Sequence, residues 1–265
     1  MTIEIRSLAG VPFATLTEAF NDAFSDYAIP AKYTVEYLTN LVRRRGFRPD
    51  LAVGAFDGER LVGFVFNCLG DGDAYNSGTG AVISHRRQGI ARRLMEQSIA
   101  TLPAKRYWLE VIDTNTRAAD LYRVLGFTEM RKLQCWTFPV PTERARITEI
   151  ANADLDEIAS WGEMRLSWQN SVASIRRATE PHFVLGNEDG AIVVFPSNGD
   201  VPLLTVKPEA RRRGLGRTLL RAAAIRCAKP LRIINIDEGN TEIAAFLEAV
   251  GATKTVRQLE MMREL

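Results

Sequence analysis

The feature that most constrains this chain is an internal duplication. The segment HRRQGIARRLM at 85–95 matches ARRRGLGRTLL at 210–220, pairing Arg86 with Arg211, Gly89 with Gly214, Ala91 with Gly216 and Leu94 with Leu219 at an offset of 125. The same offset, without a gap, pairs Asn115 with Asn240, Ala119 with Ala244 and Gly126 with Gly251. Agreement at one spacing over about forty residues marks duplicated structure. Each copy is then a domain of ordinary size within the 265 residues.

The order of elements repeats as well. Residues 51–56 and 60–68 are apolar and flank Asp57-Gly58, a two-residue hairpin signal. A strand is expected over 75–83, a helix over 88–101 and a strand over 107–112. A short helix follows, opened by Asn115 and stopped by Gly126, and then a strand over 131–138. The second half offers strands at 183–185, 191–195 and 201–206, a helix over 213–228, a strand at 231–236, a helix ending at Gly251 and a strand over 254–262. Each half opens with helical sequence, 11–45 and 152–178. Pro139 and Pro141 break either kind of element, which puts the expected domain boundary at 140/141. The expected class is α/β with a mixed sheet, in two domains, 1–140 and 141–265.

Composition removes several alternatives. No uncharged apolar run is long enough to span a bilayer, and the N-terminus lacks the basic and apolar regions of a secretory signal. Cys68, Cys135 and Cys227 are odd in number and far apart, so neither a disulfide framework nor a metal site is expected, and a reducing cytoplasm is. Net charge is +2. The arginine clusters, Arg43–Arg45, Arg86–Arg87 with Arg92–Arg93, and Arg211–Arg213, therefore stand in a nearly neutral chain, which argues against nucleic acid as the main partner.

Two of those clusters sit beside the repeated glycines. A strand that feeds Arg-x-x-Gly-x-Gly/Ala and then opens a helix brings backbone close to a ligand and presents N–H groups that have no partner inside the helix. With the helix dipole these donors make an anion site. A tight turn that binds nothing would use the same glycines, so the motif alone leaves both readings open.

The stretch Val206-Lys207-Pro208-Glu209-Ala210-Arg211-Arg212-Arg213-Gly214-Leu215-Gly216 resembles the acyl-CoA-binding motif of the GCN5-related N-acetyltransferases (GNAT). The first copy, from Ala81 to Ala91, resembles it with Ile83 where the family often has proline and Ala91 for the last glycine. The resemblance covers about 50–138 and 182–262. It implies that Ala81, Val82 and Ile83, and in the second copy Leu204, Thr205 and Val206, line the pantetheine and acetyl group of acetyl-CoA. It further implies that Arg86, Arg87, Gln88, Gly89, Ile90 and Ala91, and likewise Arg211, Arg212, Arg213, Gly214, Leu215 and Gly216, hold the pyrophosphate.

Acetylating an amine from a thioester requires a neutral amine, a polarised carbonyl and protonation of the departing thiolate. The first copy reads Trp108-Leu109-Glu110-Val111, Asn115, Leu121-Tyr122 and Gly126-Phe127, similar to the second half of the family motif. The resemblance implies Tyr122 as proton donor to the CoA sulfur, Glu110 as base and Asn115 as a cofactor contact. By residue type alone, a helix tyrosine is more often a core residue and a strand glutamate usually faces solvent. At the offset of 125, Glu110 becomes Asn235 and Tyr122 becomes Leu247. Neither replacement can do the proton transfer. The expected enzyme thus acetylates a primary amine of a small molecule or peptide in its first domain, with no metal and no membrane. The alternative is a non-catalytic acyl-CoA sensor or interaction module built from degenerate copies.

Overall fold

The computed structural model describes residues 3–27, 32–143 and 145–265. Positions 28–31, within the helical stretch expected over 11–45, and position 144, within the expected second domain, lie outside the described residues. The chain forms two compact units. One holds the described residues up to Met130 together with Glu260–Leu265, and the other is Arg131–Leu259.

The first unit contains β1 (Glu4–Ser7), α1 (Phe13–Ala23), α2 (Val35–Arg44), β2 (Val53–Asp57), β3 (Arg60–Gly70), β4 (Asp73–Ala81), α3 (Ile90–Thr101), β5 (Arg106–Ile112) and α4 (Thr116–Val124). Its strands lie in the order β1-β2-β3-β4-β5, antiparallel except for the parallel pair β4–β5. The period-2 alternation of β3 sorts its side chains onto two faces. Phe64 and Phe66 stack on Phe20 of α1, with ring centroids 5.7 and 6.0 Å away. The opposite face meets α3. A Cβ on Gly63 would lie 2.6 Å from Ile90, so the helix rests directly on strand backbone there. Buried Asn67 on that face donates to Ser98 of α3. The strand β1 was not expected: it is four residues long and mostly exposed, so it carries no apolar alternation to read.

The second unit repeats the plan with α5 (Leu155–Ser160), α6 (Val172–Arg177), β7 (Phe183–Asn187), β8 (Gly190–Phe195), β9 (Asp200–Val206), α7 (Leu215–Cys227), β10 (Leu231–Asp237) and α8 (Thr241–Ala249). Every residue of β8 is buried, because both of its faces are covered. Ile192 and Val194 join the cluster with Leu219, Leu220 and Ala223 of α7. Ala191, Val193 and Phe195 join the cluster with Leu155 of α5 and Ile175 of α6.

The compact units do not divide at the prolines. The strand β6 (Thr128–Phe138) pairs with β10 from Leu133 to Phe138, so residues beyond Met130 belong with the second unit. The last strand, β11 (Thr253–Glu264), counts with the second unit up to Leu259 and with the first from Glu260. Prolines mark where an element must stop, but unit membership follows strand pairing, which the local sequence does not encode.

Candidate active site

The two glycine turns have one backbone. After β4 and a 3-10 turn at Ile83–His85, Arg87 has φ 66° and Gly89 φ 74°; after β9 and a 3-10 turn at Pro208–Ala210, Arg212 has φ 64° and Gly214 φ 88°. Left-handed backbone at a β-unbranched residue such as arginine costs on the order of 1 kcal/mol and persists where the surroundings demand it. The result is a concavity of amides ending at a helix start. Thr34, Asn115, Asp154, Ser171 and Asn240 each cap their helix with a side-chain oxygen. Gly89 and Gly214 offer none, so the first amides of α3 and α7 get no side-chain acceptor from their caps.

Side chains of the motif divide into two groups. Arg87, Gln88 and Gly89, and Arg212, Arg213 and Gly214, are exposed at the turn. Arg86 instead faces inward. It grips Asp26 with two nitrogens at 2.6 and 2.8 Å, and donates to the carbonyls of Ala23 at 2.8 Å and Ala81 at 3.4 Å. That pair holds the Asp26 carboxyl below the usual range. Arg211 repeats this on Glu163, Trp161 and Val206. Both arginines therefore act as struts between strand end and helix end, a different use from the phosphate contact expected of them. The Ile90 side chain is buried under β3, and that of Leu215 packs with the α7 cluster. These two bring only backbone to the turn. Val82 is buried and Ile83 exposed; the Thr205 hydroxyl is spent on the carbonyl of Ile158. Ala91 and Gly216 open the helices, and a Cβ at Gly216 would stand 3.0 Å from the Phe246 ring.

Beyond the turn, the first sheet splits. Strands β4 and β5 pair only from Ala74/Tyr107 to Asn76/Leu109, and β4 then bulges, the register on β3 shifting between Asn67/Asn76 and Val65/Thr79. Asn76 donates to Thr79 at 2.7 Å. Tyr122 of α4 lies on this side: burial pushes its phenol up to about 12, while the Thr79 and Asn76 side chains draw it partly back. Its ring packs on Phe127, which packs on Tyr107 of β5. Strand alternation sends Glu110 to the other face, where it accepts a hydrogen bond from Tyr75 of β4. On that face Arg45, after α2, donates to the carbonyl and hydroxyl of Ser77 in the bulge. Asn115 caps α4 by accepting from Ala118, and its amide donates to the hydroxyl of Tyr27. Its counterpart Asn240 caps α8 in the same way. Asn115 is thus a helix cap that also ties α4 to Tyr27.

Tyr27, Tyr75, Asn76 and Thr79 were not singled out from the sequence. A signal existed: at the offset of 125, Asn76 becomes Val201 and Thr79 becomes Leu204, so polarity disappears there together with Glu110 and Tyr122. The fold also joins Asp57, His85 and Ser84, at 3.3 and 2.9 Å, where the sequence suggested no such set. Ser84 and His85 are neighbours on one exposed 3-10 turn, and the contacts tie that turn to the end of β2.

In the second unit the corresponding split is closed by the chain itself. Strands β9 and β10 pair only at Asp200/Arg232, and β10 shifts register between Ile233 and Ile236 around Asn235, at φ 59°. Asn235 donates to Ser167 at 3.2 Å and accepts from Gln258 at 2.7 Å; Asn170 donates to the carbonyl of Ile234 at 2.8 Å. Ser167, Gln169 and Asn170 are buried. This turn touches β9 as well as β10. Among the described residues no group of three metal-ligating side chains occurs, and no helix is long and apolar enough to cross a membrane.

Residues 13–127 match the model of the acetyltransferase (GNAT) family. No curated protein sequence matches the chain. Among solved structures the fold is similar to a candidate acetyltransferase from Pyrococcus horikoshii (16% identity, TM-score 0.74, 99% of this chain and 89% of that one). It is also similar to a tandem GNAT protein from the clavulanic acid biosynthesis pathway (16%, 0.69, 99% and 98%). A third is a GCN5-related N-acetyltransferase from Sphaerobacter thermophilus (16%, 0.69, 99% and 95%). At such identity these likenesses speak for the fold, over nearly the whole length of both partners. Residues 13–127 thus match the acetyltransferase (GNAT) family, and over nearly its full length the chain has a fold similar to that of a tandem GNAT protein.

Proposed function

We propose that the first unit transfers the acetyl group of acetyl-CoA to a primary amine of a small molecule or peptide. The observation that carries this is the split between β4 and β5, with the phenol of Tyr122 on one face of the sheet and the carboxylate of Glu110 on the other. A thioester entering from the α3/α4 side meets the proton donor, and an amine entering from the α1/α2 side meets the proton acceptor. The turn at Arg87, Gln88 and Gly89 supplies backbone donors for the pyrophosphate. With that diphosphate held, the strand backbone at Ala81, Val82 and Ile83 runs alongside the pantetheine. The amine attacks the carbonyl carbon, the C–S bond breaks, the amine proton leaves toward Glu110 and the sulfur takes the proton of Tyr122. A phenol raised by burial is wholly protonated at neutral pH, and the same desolvation raises a thiol beside it, so the transfer is not far uphill.

The second unit, in this reading, is non-catalytic. Its split lacks both proton-transfer groups, Val201, Leu204 and Leu247 pack into the apolar core there, and it is closed by the turn from Ser167 to Asn170. Cys68, Cys135 and Cys227 are buried and form no disulfide among the described residues, which fits a reducing compartment, and a cytoplasmic location is part of the proposal. The test is release of CoA across an amine library, repeated on Tyr122→Phe and on Gly214→Val. Turnover that survives Tyr122→Phe but is abolished by Gly214→Val would refute the division. Binding of acetyl-CoA without turnover on any amine would favour a sensor.

A further inference from the structure

Tyr75 has no part in the scheme above, yet it is hydrogen-bonded to Glu110. Its side chain is buried, on the strand beside β5, and its hydroxyl donates to Glu110 Oε2. Burial and the nearby carboxylate push the Tyr75 phenol well above its ordinary value, so at working pH it is always a donor. The charged and titratable groups around it are Arg45 from the end of α2, Cys68 from β3 and Glu110 from β5. Arg45 is itself tied to the bulge through Ser77, which keeps a positive charge on this side of the split. The duplication offers an internal comparison: where Glu110 is replaced by Asn235, Tyr75 is replaced by Asp200. Neither the tyrosine nor the glutamate is kept in the copy whose split is closed.

We propose that Tyr75 is a positioning residue for the reaction: its hydroxyl fixes the Glu110 carboxylate in the split and holds it in the ionised, proton-accepting form. A neutral donor that cannot ionise lowers the energy of the carboxylate relative to the acid and removes its rotational freedom. The inference rests on the reading of Glu110 as base.

The test is the pH profile of kcat/KM for acetyl transfer to the best amine of the library, in wild type, Glu110→Gln and Tyr75→Phe. The expected acidic limb is abolished in Glu110→Gln. In Tyr75→Phe it moves about one pH unit upward, the order expected for loss of a charge-assisted hydrogen bond, with activity recovered at higher pH. Replacing Tyr75 by 3-fluorotyrosine, which keeps the side-chain shape but donates more strongly, moves the limb downward. A limb that Glu110→Gln removes but neither change at Tyr75 displaces overturns the positioning role and leaves the base intact. A limb and rate unaffected in Glu110→Gln overturn the base itself, and the proposal with it.

Discussion

Replacing Tyr122 by phenylalanine separates the chemistry from the fold. The phenol is buried against Thr79 and Asn76, and its value of about 12 stands two units above the ordinary 10.0. Two units correspond to about 3 kcal/mol of preference for the neutral form. That preference has a stability consequence with a definite sign. Above the unfolded value the unfolded chain loses the proton while the native one keeps it. The contribution is therefore complete below pH 10.0 and is lost as pH rises toward about 12. Tyr122→Phe abolishes this portion of alkaline unfolding and changes neutral stability by only about 1 kcal/mol. On activity, removal of a general acid in a desolvated site lowers kcat by about 10²–10³ with little change in KM for acetyl-CoA. The assay is thiol release at pH 7–8 with chemical denaturation in parallel. A kcat within about threefold of wild type, in a variant shown to fold, would refute the assignment of Tyr122 as proton donor.

Calorimetry is expected to return one acetyl-CoA per chain; Gly89→Val, which forces a β-branched residue to φ 74°, abolishes it and Gly214→Val does not. Arg86→Ala lowers stability by about 1 kcal/mol through the lost carbonyl contacts of Ala23 and Ala81, whereas Arg87→Ala leaves the melting temperature alone and weakens acetyl-CoA binding. A melting temperature unchanged in Arg86→Ala would remove the strut. Gly63→Val places atoms 2.6 Å from Ile90 and costs about 2–3 kcal/mol by denaturant unfolding; wild-type stability would mean that α3 does not rest on β3.

Much of the site could be read from the chain because its parts are local. Glycine turns, the Asn115 and Asn240 caps and the strand–turn–helix order are set by residues within a few positions of one another, and the offset of 125 allowed one copy to check the other. What could not be read depended on partners far along the chain. Arg86 matches a phosphate-binding motif, but its guanidinium reaches Asp26 and Ala23, sixty and sixty-three residues away, and is occupied there. Tyr75 and Glu110 lie thirty-five residues apart and meet only because β4 and β5 are adjacent.

The sequence by itself determined that the fold is duplicated, where the glycine turns stand and which copy carries Glu110 and Tyr122, because those follow from residue identity and short spacing. Tertiary structure decided which face of the sheet each group occupies and where the compact units divide, since β6 pairs with β10. It also decided that the second split is closed by Ser167, Gln169 and Asn170. Pairing and burial are settled by the whole of the packed chain, and no local pattern specifies them.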